Sequence, residues 1–249
     1  MMVSRCMDSC LSLCGCASFL MGSDGYRYHK QRDVLNANAY ISLDTQFMGE
    51  EAIVLKCGSR LCGEGGVLLN VPLLQSKSYF EVKIQQSGNW GVGVATRDAD
   101  LSHPPLGRDF FSWVMRSTGE LFHDDKVVST ASLPSAADSS RSSHNLVVCK
   151  SGRTACGVQM SDSSVNQERL GNVASFEDGD IIGVAFDHVS LQFYLGGIKL
   201  EGASFLNIKG QVYPLLYVSE DAILDIRIQD FVFRPPKGFS QILREKTIL

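Results

Sequence analysis

A chain of 249 residues is long enough for one large β domain or two smaller ones, and its 44% hydrophobic residues can bury a sizeable core. The formal net charge is −4, and Lys and Arg form no stripe, so the charge pattern favours neither nucleic acid nor an anionic membrane as a partner. No apolar run reaches the roughly 18 to 20 residues that a membrane-spanning helix needs.

The cysteine pattern points to a reducing compartment. The chain has eight cysteines, which crowd the N-terminus and otherwise occur in two separated pairs. This is not the regular framework of a small disulfide-stapled secreted domain. We therefore expect free thiols and a cytoplasmic protein.

Residues 1–38 form a predicted N-terminal tail. Cys6, Cys10 and Cys14 recur every four residues, which would put them on one face of a helix, and Cys16 follows closely. Clustered terminal cysteines suit reversible S-acylation, which would make the protein a peripheral membrane component. A zinc site and inert thiols are the alternatives, although no histidine lies among the cysteines. A secretory leader is not favoured, because polar residues interrupt the apolar stretch of the tail.

The first predicted strands lie between residues 53 and 95. Gly63, Gly65 and Gly66 predict a tight loop after a short apolar run. Residues 79–84 then alternate with period two, which predicts a half-buried strand with one apolar side and one side in water. The inward set is Phe80, Val82 and Ile84, and the outward set is Tyr79, Glu81 and Lys83.

Gly88 begins a turn into the neighbouring strand at 90–95. Gly91 and Gly93 alternate there with valines, so we expect a bulky side chain or another backbone to pack against the glycine face. Trp90 opens this strand, and we expect it to fill space between two sheets.

A second block repeats these features. Asp187 and His188 predict a turn between two alternating apolar runs, and Gly196–Gly197 predicts a two-residue hairpin turn. Many short strands with turns about every ten residues predict an all-β fold, a two-sheet antiparallel β-sandwich. The predicted strands of this block are 182–186, 191–195, 212–218 and 222–233, the last with Leu224, Ile226 and Ile228 inward and Asp225, Arg227 and Gln229 in water.

Residues from about 126 to 172 interrupt the pattern. They are rich in serine and poor in large apolar residues, which predicts a disordered insertion in a surface loop. The predicted organisation is therefore the tail followed by one sandwich domain at 39–249 that carries this insertion.

Several segments taken together carry a family resemblance. They are YFEVKI (79–84), GNWGVGVAT (88–96), PLGRD (105–109), GDIIGVAFDHVSLQFYLGG (179–197), VYPLLYV (212–218) and FRPPKGF (233–239). In combination they resemble the SPRY domain family. The segments LDTQFMG (43–49), CGSRLCGEGG (57–66) and HPPLGRD (103–109) are similar to those of a small family member that contains little besides this domain and also has a cysteine-rich N-terminus.

The resemblance implies a lectin-like jelly-roll sandwich that recognises short segments of other proteins through loops between strands and supplies no chemistry itself. The chain departs from the family at Gly196–Gly197, where the family usually has Asn-Gly, and a glycine pair still closes that turn. The insertion has no counterpart in the compact family pattern, which puts contacts of the loop after Phe122 in doubt.

The loop at 97–113 is the candidate partner-binding surface. It combines arginine with aromatic residues, types enriched at interaction hot spots, and a sandwich would hold it rigidly. In the alternative interpretation, Leu106 and one of Phe110 or Phe111 tuck the loop onto the sheet, and Arg108 pairs with Asp109 or caps backbone carbonyls. The predicted contact residues are Arg97, His103, Leu106, Arg108, Asp109, Phe111 and Trp113.

Catalysis is not expected. The runs 123–125 and 187–188 each join His to Asp, but neighbours on a strand point to opposite faces, so adjacency alone builds no acid–base pair. No GxSxG, HExxH, P-loop or dinucleotide motif occurs, and we expect no cofactor and no metal.

The sequence therefore predicts a non-catalytic, monomeric module that binds a protein or peptide and not nucleic acid. A lectin-like glycan or small-ligand module is the alternative, although no grouping of an aromatic platform with Asn or Asp acceptors is evident. A hydrolase that uses the His–Asp neighbours ranks third.

Overall fold

The computed structural model describes residues 40–134 and 173–244, and within them the backbone forms short, mostly antiparallel strands. The bounds are β1 (Leu43–Met48), β2 (Glu51–Leu55), β3 (Arg60–Leu69), β4 (Ser78–Gln86), β5 (Asn89–Ala95), β6 (Ser112–Arg116), β7 (Glu120–His123), β8 (Lys126–Thr130), β9 (Ile181–Phe186), β10 (Ser190–Leu195), β11 (Ile198–Leu206), β12 (Tyr213–Ser219), β13 (Ile223–Arg227) and β14 (Ser240–Gln241). The predicted all-β sandwich is confirmed.

The strands make two sheets that share β3. Sheet A runs β3-β12-β5-β6-β7-β8, with β1 on the other side of β3, and sheet B runs β11-β10-β9-β4-β13-β3, with β2 added to β3. The first half of β3 pairs with β13 at Leu61, and its second half pairs with β12 from Gly65 to Leu68. One strand therefore crosses between the sheets. The short β14 adds a parallel pair to β4.

The tight loop predicted at the glycines of β3 is wrong, because these glycines lie inside the strand. Gly63 and Gly65 have φ of +87° and +136°, a backbone that bends the strand where it changes sheet. Neighbouring backbone closes on the bend, since Gly49 N donates to Gly66 O at 2.8 Å and Gly66 N donates to Leu101 O at 2.7 Å. A run of glycines thus marks a crossing strand here.

The core lies between the inner faces of the two sheets. Trp90 is buried there, as predicted, and its ring meets Phe176 edge-on with centroids 5.2 Å apart. The glycine face of β5 packs as expected, because a side chain on Gly91 would collide with the Tyr217 ring and one on Gly93 with the backbone of β6. The inner faces contribute Phe80, Val82, Ile84, Val92, Val94, Ile182, Val184, Phe193, Leu216 and Val218.

The prediction that Tyr79 and Glu81 face water is wrong, since both are as buried as the inward residues of β4. Strand β13 ends at Arg227, earlier than the predicted strand. Residues 229–239 then cross the outer face of sheet B as an irregular segment, here called the C-terminal belt. Glu81 holds the belt by accepting hydrogen bonds from Val232 N at 2.8 Å and Phe233 N at 2.9 Å.

The far edges of the two sheets meet at a seam. Ser132, just beyond β8, exchanges two backbone hydrogen bonds of 2.9 Å with Glu201 of β11. Ala174 N donates to Ala131 O at 3.0 Å. The two ends of the described chain on either side of residues 135–172 therefore lie together at this seam. The predicted start of the insertion at about 126 is wrong, because β8 pairs there with β7. The rest of the insertion and the tail at 1–38, with its four cysteines, lie outside the described residues.

Candidate binding surface

The predicted loop folds over the outer face of sheet A. Six strand residues of that face form a second apolar cluster, Leu68, Ala95, Val114, Tyr213, Leu215 and Tyr217. The connection between β5 and β6, here called loop 96–111, contributes Leu101 and Leu106 to the same cluster. These two side chains therefore hold the loop against the sheet.

Two of the predicted contact residues serve as anchors of this loop. Leu106 is buried, and its carbonyl oxygen accepts hydrogen bonds from Arg116 Nε at 3.1 Å and Nη2 at 2.8 Å. The Arg97 guanidinium lies 4.1 Å from the Phe47 ring centroid and 4.9 Å from that of Tyr213. The prediction that Leu106 contacts a partner is wrong in geometry, because a buried side chain cannot be reached.

Asp109 organises the end of the loop. One carboxylate oxygen accepts from Phe111 N at 2.9 Å and from the Ser112 hydroxyl at 2.6 Å, and the other accepts from Asp100 N at 3.1 Å. Its backbone oxygen accepts from Asp124 N at 3.1 Å, which ties the loop to the β7–β8 turn. Asp109 is thus engaged inside the loop, and it fixes the residues on either side of it.

The exposed residues beside Asp109 form one surface, here called the binding rim, which consists of His103, Arg108, Phe110 and Phe111. The side chains of Phe110 and Phe111 are 68% and 42% exposed. Arg108 lies 3.9 Å from the Asp125 carboxylate, and His103 Nδ1 lies 2.8 Å from Asp100 Oδ2. Although slight burial raises the pKa of Asp100, hydrogen bonds from His103 and Ser102 N hold it below its usual value.

Trp113 lies at the margin of this surface and is half-buried. Its ring stacks on the His123 ring with centroids 4.7 Å apart and an interplanar angle of 16°. His123 Nδ1–H donates to Ser112 O at 2.9 Å, which holds the stack in place. One face of the Trp113 ring is therefore already covered.

The structure divides the seven predicted residues into two groups. His103, Arg108 and Phe111 are on the rim, whereas Leu106, Asp109 and Trp113 hold the loop or pack at its base, and Arg97 is exposed but packs its guanidinium on two rings. Phe110, the most exposed aromatic side chain of the loop, was left out of the predicted set. No alternation of apolar and polar residues crosses positions 109–111. The sequence therefore could not show which of the two phenylalanine side chains is more exposed.

The two His–Asp neighbours serve turns. The Asp187 carboxylate accepts from Val189 N at 3.1 Å and Ser190 N at 2.7 Å, while His188 Nε2 bonds to Gln75 O at 3.0 Å. Burial acts to raise the pKa of Asp187, but the hydrogen bonds from Ser190 and Val189 lower it below its usual value. Asp124 pairs with Lys126 at 2.6 Å. Residues 40–134 and 173–244 contain no group of three or more His, Cys, Asp or Glu that could hold a metal ion.

The described residues thus form a two-sheet sandwich that presents an ordered loop on one outer face. The SPRY domain family model matches residues 77–228, more than half of the chain, and the chain belongs to this family. SPRY domains are protein-interaction modules.

The chain is similar over most of its length to known members of the family. It is 37% identical to SPRY domain-containing protein 7 of Homo sapiens and of Mus musculus over 208 residues, which cover 84% of this chain and 86% of each relative. The protein of the same name from Gallus gallus is 38% identical over the same length. The predicted similarity to a small SPRY protein is thereby confirmed.

Solved structures give weaker matches. The SPRY domain of human HERC1 is 16% identical and covers 76% of this chain and 99% of that chain, with a TM-score of 0.49. The TRIM65 PSpry domain is 12% identical and covers 76% of this chain and 90% of that chain, also with a TM-score of 0.49.

Proposed function

We propose that this protein is a non-catalytic module that binds a segment of another protein through the binding rim. The observation that carries the proposal is the exposure of Phe110 and Phe111 on a loop whose backbone is fixed by Asp109. The free energy of binding becomes more favourable when a partner removes exposed aromatic rings from water. Because the loop is already ordered, little conformational entropy is lost on binding.

The charges of the rim suit a protein partner. Arg108 and Asp125 lie side by side, as do His103 and Asp100, so both signs flank the aromatic pair. An apolar centre with a polar margin is the usual anatomy of a protein interface. A glycan site gains less support, since the Trp113 ring that could serve as a platform is stacked on His123.

The first test compares partner lists from cells. The double variant Phe110→Ser/Phe111→Ser should lose specific partners, because it removes the exposed aromatic area and leaves the anchors untouched. Ile198→Ser changes an apolar side chain that is 48% exposed and lies outside the rim; it is the control and should retain them. Identical partner lists for the wild type and the double variant would contradict the proposal, and clear binding of the wild type on a glycan array would favour the lectin-like alternative.

We also propose that the protein is cytoplasmic and reaches membranes through S-acylation of its tail. The support is the spacing of Cys6, Cys10, Cys14 and Cys16 in the sequence. Metabolic labelling with a palmitate analogue should mark the wild type, and replacement of all four residues by serine should abolish the label and shift the protein to the soluble fraction. Labelling that persists in the four-serine variant would contradict this assignment.

A further inference from the structure

One end of the sandwich exposes apolar side chains that neither the core nor the binding rim uses. Tyr40, Leu74, Val189, Leu206 and Leu243 are 71%, 51%, 66%, 64% and 57% exposed. Leu74 and Val189 lie between strands, Leu206 ends β11, and Tyr40 and Leu243 lie beside the two ends of the described chain. This surface is here called the apolar end. Separate exposed apolar residues are normal, so their significance depends on whether the segments adjoin one another.

Hydrogen bonds link these segments into one surface. Asn207 N donates to Val189 O at 3.1 Å, which joins the end of β11 to the β9–β10 turn. His188 in that turn bonds to Gln75 O at 3.0 Å, and Gln75 Oε1 in turn accepts from Leu243 N at 2.8 Å. The surface continues to the start of the described chain, because Arg244 Nη2 donates to Tyr40 O at 3.4 Å.

Basic residues outnumber acidic ones in the segments that carry these apolar side chains. In residues 40, 70–77, 187–189, 206–211 and 240–244, the basic residues Lys77, Lys209 and Arg244 are all exposed. The acidic residue there is Asp187, which is half-buried and hydrogen-bonded to the turn that it begins. The formal net charge of the whole chain is −4. The fold therefore gathers cations from distant parts of a sequence that has no basic stripe.

We propose that the apolar end docks on the surface of an anionic lipid bilayer. Isolated aliphatic side chains with lysine and arginine between them can enter the headgroup boundary while the cations meet lipid phosphates and carboxylates. The N-terminal tail joins the domain at Tyr40, on this same end, so acylation of the tail would hold this end against the membrane. The docking is independent of the binding rim and deepens only the proposed membrane association.

The test uses the full chain made in bacteria, which leaves the tail without acyl groups. Flotation should show binding to vesicles of phosphatidylcholine with phosphatidylserine, much weaker binding to phosphatidylcholine alone, and loss of binding at high salt. Lys77→Glu/Lys209→Glu should weaken binding about tenfold or more, because two attractive charges become repulsive. Val189→Ser/Leu206→Ser should also weaken it, and thermal melting checks that each variant is folded.

The rim variant Phe110→Ser/Phe111→Ser is the matched control, since it removes exposed apolar area elsewhere and should bind vesicles as the wild type does. The docking proposal would be overturned if the wild-type protein did not bind anionic vesicles, or if the apolar-end variants bound them as well as the wild type does. So would a rim variant that loses vesicle binding to the same degree. A rim variant that loses protein partners and keeps vesicle binding would support both proposals separately.

Discussion

At the scale of single residues, Asp225 shows how one carboxylate can organise the outer face of sheet B. It accepts hydrogen bonds from Lys56 Nζ at 3.1 Å, Arg60 Nη2 at 2.8 Å and Gln85 Nε2 at 2.9 Å. Burial acts to raise the pKa of Asp225, but the bonds from Arg60 and Lys56 outweigh it and hold the pKa below its usual value of 3.8. Sequence alternation predicted only that Asp225 faces water.

A lowered pKa makes this network a source of pH-dependent stability. The contribution of Asp225 is fully present above pH 3.8, the value for the unfolded chain, and is lost as the pH falls further through the folded pKa. Asp225→Asn should therefore lower the free energy of unfolding by about 1 to 2 kcal/mol near pH 7. The gap between variant and wild type should narrow below about pH 4.

Urea denaturation across a pH series measures this effect. Asp98→Asn, a change at an exposed residue of loop 96–111, is the control and should leave stability nearly unchanged. A constant difference between Asp225→Asn and the wild type down to pH 2 would show that the charge of Asp225 is not responsible.

At the scale of elements, the C-terminal belt depends on a buried carboxylate. Glu81 accepts the two belt amides and a 3.3 Å hydrogen bond from the Tyr79 hydroxyl. Burial raises the pKa of that hydroxyl, and the nearby Glu81 charge raises it further, so Tyr79 stays a hydrogen-bond donor. The edge of the Phe231 ring packs against the Tyr79 ring with centroids 4.9 Å apart. Polar and aromatic contacts together close this face of sheet B.

Glu81→Gln should loosen the belt, because an amide has one acceptor oxygen where the carboxylate has two. We expect a loss of about 1 to 3 kcal/mol in unfolding free energy, with faster hydrogen exchange at the amides of Val232 and Phe233. Glu64→Gln, at an exposed position of β3, should change neither quantity. Protection of the two belt amides that matches the wild type would contradict the role given to Glu81.

The belt also shows where sequence interpretation stops at this scale. Alternation in 79–84 identified the two sides of β4 correctly, since period two is a local property of a strand. It could not show that the second side is covered, because the covering residues are irregular and lie far along the chain. The same reason explains loop 96–111, where residue types predicted a binding surface but packing decided that Leu106 is an anchor and Phe110 is exposed.

At the scale of the whole molecule, the seam fixes both ends of the segment at 135–172. Ala131 and Ala174 are hydrogen-bonded to each other, so a short connection can span the gap. Replacing 135–172 with a flexible linker of about eight Gly and Ser residues should preserve the fold, and the lower closure entropy should add about 1 kcal/mol of stability.

Thermal melting of the linker variant gives the measurement, and its midpoint should equal or exceed that of the wild type by a few degrees. A linker that also replaces 129–134 is the contrasting control, because it removes the Ser132–Glu201 pairing and should lower the midpoint. A lower midpoint for the first variant would show that 135–172 contributes to stability.

The sequence predicted the fold class and most inward residues, because strand periodicity and turn chemistry are local. It could not order the strands, since β4 pairs with β9 and β13, and β12 with β3, across long stretches of chain. The membership of β3 in both sheets was likewise not predictable, because its glycines are as typical of a loop as of a bent strand.

That shared strand makes the two halves of the molecule interdependent. A slip of β3 by one residue would turn its side chains to the wrong side in both sheets at once. An intermediate with one half assembled and the other open would have to leave half of β3 without partners. We therefore expect the two sheets to fold cooperatively, in an all-or-none transition. Such a transition shortens the time during which unpaired apolar strands are exposed and could aggregate.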